Sequence, residues 1–191
     1  MKLPGRLSAA IDVLQLIEER HLPAKNALAE WGRAHRFAGS KDRAAIGNLV
    51  HDILRNKSSL AWAMDDDSPR ALVLAGAVYN WGGEVDALSQ SFEGDKFAPG
   101  AITEKEQKAL TTKKEDVAPA WVNANIPEWL YNTISAQFKT GFEKEAGAML
   151  SRAPIDIRVN GLKSNREKLL NAFSKYNFDD LHDPINMKFF Y

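Results

Sequence analysis

The chain of 191 residues contains no cysteine. That excludes disulfides, thiolate metal sites and a cysteine nucleophile within these residues. Net charge is absent too, with 25 basic side chains against 25 acidic ones. No global field draws the chain to nucleic acid, so any such attraction must come from a local patch. Long apolar runs are missing: "ALVLAGAVY" at 71–79 is far too short to span a bilayer. After Lys2 and Arg6, the apolar run that a signal peptide needs is interrupted by Asp12, Glu18 and Glu19. A soluble cytoplasmic protein with no membrane partner is the expectation.

The residues that carry common chemistries are sparse or badly spaced. "FAGSKD" and Gly82-Gly83 are the only small-residue loops in the first 110 residues, and neither has the strand–loop–helix context of a phosphate cradle. There is no G-x-S-x-G elbow, and no base is placed for Ser40. His21, His35, His51 and His182 never fall at metal-ligand spacing. Asp65, Asp66 and Asp67 lack the alternation, mid-loop glycine and closing glutamate of a calcium loop. They read as an acidic turn at the positive end of the next helix. The five tryptophans are spread over different helices and read as core anchors or interface residues. No catalytic residue, metal ligand or cofactor-binding residue is expected in this chain.

What is present is mainly helical. A hydrophobic fraction of 45% and a charged fraction of 26% are those of a globular protein. Leu7, Ile11, Leu14 and Ile17 give residues 6–21 helical spacing. Pro23 opens a second helix through Trp31, and Ser40 is the expected cap of a third through Ile46, Leu49 and Ile53. Ser68 and Pro69 start another, and Thr103 with Glu106 has the capping-box spacing. Ile11, Leu14, Trp31, Leu49, Ile53, Leu72 and Val78 are expected to share one core. Residues 111–125 read as a linker, followed by helices near 127–138 and 142–152.

Then the pattern changes. In "IDIRV", Ile155, Ile157 and Val159 alternate with Asp156 and Arg158, the signature of a half-buried strand. Asn160-Gly161 turns the chain, and Ser164 with Glu167 suggests a second capping box. "NMKFFY" at 186–191 resembles the start of a further strand. A sheet begun at residue 155 is incomplete by residue 191, and an unpaired strand edge is unfavourable. The chain therefore reads as a piece of a longer protein.

Charge separates locally. Arg33, Arg36, Lys41, Arg43, Arg55 and Lys57 face only Asp42 and Asp52 in sequence. A second group is Arg158, Lys163, Arg166, Lys168 and Lys175, with Glu167 among them. Acidic residues gather at 65–67 and 84–95. Such separation suits a nucleic-acid surface, although a solvated helix face has the same pattern.

"APIDIRVNGLKSNREKLL" closely resembles a signature of the rRNA cytosine-5 methyltransferases, the Sun/Fmu and nucleolar-protein family. Pro154, Arg158, Val159, Asn160, Leu162, Lys163, Arg166, Glu167 and Leu169 match it. "IPEWL" at 126–130 resembles the family's H-P-x-W-L, with Ile126 in place of histidine. "DRAAIGNLVHDILRNK" at 42–57 resembles a segment of the NusB-like domain found ahead of the bacterial enzymes, and "LPGRLSAAIDVL" the form in alphaproteobacterial members. The resemblance implies a mainly α chain: a NusB-like helical domain over 1–120, then a helical linker. Residues 121–191 would begin a small α+β subdomain like an RNA-recognition motif, stopping before the S-adenosylmethionine domain.

The family's catalytic cysteine has no counterpart here. The parent protein would be an S-adenosylmethionine-dependent rRNA methyltransferase, and these residues alone would be inactive. Recognition of 16S rRNA is the implied role. The candidate RNA contacts are Arg33, Arg36, Lys41, Arg43, Arg55, Lys57, Arg158, Asn160, Lys163 and Arg166. NusB-like modules often use an arginine-rich N-terminus, where this chain offers only Lys2 and Arg6. The rival readings are a free-standing NusB-like antitermination or RNA-binding module and a helical protein-interaction module.

Overall fold

A computed structural model of the chain describes residues 1–112, 114–151 and 158–174. They belong to two compact units, Met1–Ser151 and Arg152–Tyr191. Among the described residues there are helices and no strands.

The first unit is built on α1 (Leu3–Arg20), α2 (Ala24–Ala34) and α3 (Ser40–Arg55). Leu7, Val13 and Leu14 of α1 and Ile46, Leu49 and Ile53 of α3 are fully buried, as their helical spacing requires. Trp31 joins them from α2, and its indole N–H donates to Asp12 Oδ2 at 3.2 Å. Ile11 and Val78 only pack against this core, half-buried, whereas Leu14, Trp31, Leu49, Ile53 and Leu72 lie within it. Ser40 does not cap α3. It is the first helical residue, and Gly39 occupies the cap position with no side-chain bond.

A short helix absent from the sequence reading, α4 (Lys57–Met64), follows directly and buries Leu60 and Met64. Helix α5 (Pro69–Ala75) begins as expected, with Ser68 Oγ accepting from the Ala71 N–H at 3.3 Å. It runs into a π-helical turn at Gly76–Asn80. A Cβ at Gly76 would lie 2.7 Å from Ile53 Cγ1, so glycine lets this turn press against α3. Helices α6 (Val85–Phe92) and α7 (Glu104–Thr111) complete the bundle. The capping box at α7 is formed: Thr103 Oγ1 accepts from the Glu106 N–H at 3.2 Å, and Glu106 Oε2 from the Thr103 N–H at 2.8 Å. Arg70 donates to both Glu106 oxygens, at 2.6 and 3.2 Å, and to the carbonyls of Pro99 and Ala101, pinning that loop to α5.

Three further helices belong to the same unit: α8 (Ala120–Asn123), α9 (Glu128–Phe138) and α10 (Phe142–Leu150). The compact unit thus continues past the boundary expected at 120, as far as Ser151. The reason is local docking. Val122 is fully buried, and Asn125 Oδ1 accepts from the Ser59 N–H of α4 at 2.9 Å. Ala124, Ile126, Phe142 and Ala146 form a second, small core. Ile126 is one of its apolar members.

In the second unit α11 (Arg166–Ser174) is helical as expected, but its cap is corrected. Asn165 Oδ1, not Ser164, accepts from the Lys168 N–H at 2.9 Å. Asn160 turns the chain, its Oδ1 accepting from the Leu162 N–H at 3.0 Å and its carbonyl from Lys163 and Ser164. That last bond places Ser164 in the turn and starts the helix one residue later. Residues 155–157 of the expected strand, and "NMKFFY", lie outside the described residues. Arg158 and Val159 are neither helix nor strand. The α+β subdomain therefore stays a sequence expectation.

Candidate nucleic-acid interface

The six basic residues between Arg33 and Lys57 do not form one patch. At 1.5 Å per residue, Lys41 and Arg55 are about 21 Å apart along α3. Arg55 is ion-paired with Asp52, whose Oδ2 also accepts from the Trp81 indole N–H at 3.2 Å. Lys57 Nζ donates to Glu18 Oε1 of α1 at 2.8 Å. Both charges at the far end of α3 are thus locally compensated.

The other four lie where α2 ends, the chain turns and α3 begins. Arg33, Arg36 and Lys41 are exposed and have no ion pair among the described residues. Arg43 plays a different part. Its Nε donates to the Ala38 carbonyl at 2.8 Å, and its guanidinium packs where a side chain at Gly32 would stand, so it ties the 35–39 turn to both helices. Asp42, the acid within this group, is already engaged. The Met1 ammonium reaches its two oxygens at 3.1 and 3.0 Å, and Arg6 reaches Oδ1 at 3.0 and 2.8 Å. The hydrogen bonds from Met1, then from Arg6, hold the Asp42 carboxyl below its ordinary range. Its charge is therefore matched before it can offset Arg36 or Lys41. The same bonds occupy Arg6.

Sequence reasoning missed the aromatics beside these cations. Trp31 stacks on His35 with ring centroids 4.3 Å apart, and Phe37 meets His35 edge-on at 5.7 Å. This ladder runs from the core outward, and Phe37 is 70% exposed between Arg36 and Lys41. The only signal in the sequence was "RF" in a basic loop, which does not say whether the ring points in or out. Exposed cations flanking an exposed ring can hold phosphates and stack a base.

The second expected group lies in the other compact unit. Arg158, Lys163 and Arg166 are exposed, whereas the Asn160 side chain is used in its own turn. Lys175 lies outside the described residues. Among the described residues no set of histidine, aspartate or glutamate side chains is placed to hold a metal ion. No helix among them is long and apolar enough to cross a membrane.

No protein-family model, curated protein or solved structure matches the chain.

Proposed function

We propose that residues 1–191 are the RNA-recognition region of an S-adenosylmethionine-dependent rRNA cytosine-5 methyltransferase acting on 16S rRNA in the cytoplasm. In this reading the helical unit is NusB-like, and the residues after 151 begin an α+β subdomain. Methyl transfer and S-adenosylmethionine binding belong to a separate catalytic domain, because the cysteine thiolate that this chemistry requires is absent from the sequence. The observation that carries the RNA role is the α2–α3 corner: Arg33, Arg36 and Lys41, exposed and without an ion pair among the described residues, around an exposed Phe37. The family assignment is carried by the signature at 154–169.

The test is binding of single-stranded RNA as a function of salt. Three phosphate contacts give a log–log slope of about −2, at about −0.7 per phosphate on a single strand. Replacing Arg33 and Arg36 together by alanine should reduce that slope to about −0.7 without affecting folding. Arg43→Ala is a poorer probe, since it also loosens the 35–39 turn. Absence of binding at low salt would favour the protein-interaction reading. That reading has its own supporting observation, the 79%-exposed Trp129 on α9.

A further inference from the structure

Beside the basic corner lies a groove of about 750 Å³, open to solvent. Its floor is the small-residue face of α1, Gly5, Ser8 and Ala9, and one side is the Trp31–His35–Phe37 ladder. The other side is Phe97, 62% exposed, on the loop after α6. That loop is locked in place. Gly94 adopts a left-handed φ of 68°, Asp95 Oδ1 accepts from the Phe97 N–H at 2.9 Å, and the Phe97 carbonyl accepts from Ser8 Oγ at 2.7 Å. Two large apolar rings, Phe37 and Phe97, are thus exposed to water along one apolar trough. The volume lies within the range of small-molecule sites.

Charge says what the trough suits. Its carboxylates, Asp12 and Asp95, accept from the Trp31 indole N–H and the Phe97 N–H and keep their charge, which Lys2 and Lys96 on the same lining balance. The Met1 ammonium is paired with Asp42, whereas the two lysines of the lining have no ion pair among the described residues. Lys2 lines it, and Lys96 Nζ sits 4.8 Å from the centroid of the Phe97 ring. Arg36 lies between His35 and Phe37 in the chain, with Arg33 one turn back on α2. A flat, apolar ligand with a negatively charged tether matches this arrangement better than an apolar helix would.

We propose that the groove is a base slot: an unstacked base of single-stranded RNA packs against Phe37 and Phe97, while the phosphates beside it meet Arg33, Arg36 and Lys41 of the α2–α3 corner. The inference rests on the RNA-binding reading above, and it adds a specific ligand part and one residue, Phe97. Recognition here is by the π-face, so it tolerates any base but requires one.

The experiment compares a short oligouridylate with an abasic strand of equal length, by fluorescence anisotropy at low salt. The proteins are wild type, Phe37→Ala, Phe97→Ala and Arg33→Ala/Arg36→Ala. Because both rings are mostly exposed, the aromatic variants should fold as wild type does, which circular dichroism checks. Each should bind oligouridylate about tenfold more weakly, leave the abasic affinity unchanged and keep the salt slope. The arginine variant should weaken both strands. If Phe37→Ala and Phe97→Ala bind oligouridylate like wild type while the arginine variant does not, the slot is wrong and the phosphate-binding corner stands. If wild type binds neither strand, the RNA reading fails and takes the slot with it. A wild-type dimer in sedimentation that Phe37→Ala or Phe97→Ala dissociates would instead assign the groove to a second copy of the chain and overturn the proposal.

Discussion

The bundle of α1–α7 and the layer of α8–α10 have similar helical patterning and very different burial. In the bundle, Leu7, Leu14, Ile46, Leu49, Ile53, Leu72 and Leu74 are fully buried in one core. In the layer, α9 has no buried residue, although it carries Trp129, Leu130, Tyr131, Ile134 and Phe138. Ala124, Ile126, Phe142 and Ala146 close the small core, with Tyr131 edge-on to Phe142 at 5.3 Å. Helical pattern says which residues share a face. It does not say whether anything covers that face, and stability follows the covering. The bundle should therefore unfold as a unit, with the layer opening more easily.

Leu49→Ala is the strongest way to break this contrast. It removes a fully buried side chain at the centre of the bundle and should cost about 2–5 kcal/mol, read as a lower denaturation midpoint. If the midpoint does not move, the core is not where the stability resides. Phe142→Ala sharpens the contrast from the other side. It should raise amide exchange across α9 and α10 and lower the bundle midpoint much less than Leu49→Ala does. An equal shift in both would mean that the two regions are one cooperative unit.

A smaller effect separates two neighbouring caps in the second unit. Asn165→Ala should destabilise α11 by about 0.5–2 kcal/mol, whereas Ser164→Ala should do little, as helix exchange rates would show. The reverse order would restore Ser164 as the cap.

The smallest expected effect is a pH slope. Burial raises the Glu106 carboxyl, but the bonds from Arg70 and Thr103 together outweigh it and hold the group below its ordinary value of 4.5. The folded state then binds fewer protons than the unfolded state between the two values. This contribution is present above pH 4.5 and is lost as pH falls through that value toward the depressed one. Glu106→Gln should flatten the acid side of the stability curve in that window. An unchanged curve would mean that the Arg70–Glu106 pair does not couple to folding.

What the sequence made legible was local. Ser68-Pro69 and Thr103 with Glu106 mark helix starts because the groups that satisfy one another are within three residues, and both were read correctly. The core face of α3 was legible from spacing alone. Helices α4 and α8 were not, since their stability comes from partners distant in the chain, such as Asn125 with Ser59. The start of α11 failed more subtly: the Ser164 pattern was present, but the Asn160 carbonyl already held the Ser164 N–H. The basic run was read as one surface, because nothing near Lys57 in sequence announces Glu18 as its partner. Phe37 and Phe97 were missed, since the direction of a ring in a loop is set by tertiary contacts. Their exposure is what turns a basic corner into a candidate RNA site.

Hydrogen exchange of residues 1–191 with and without single-stranded RNA tests the central claim most directly. Protection is expected at residues 33–43 and in the loop around Phe97, with α9 and α10 exchanging as before. Protection confined to α9 and α10, or none anywhere in the helical unit, would contradict it.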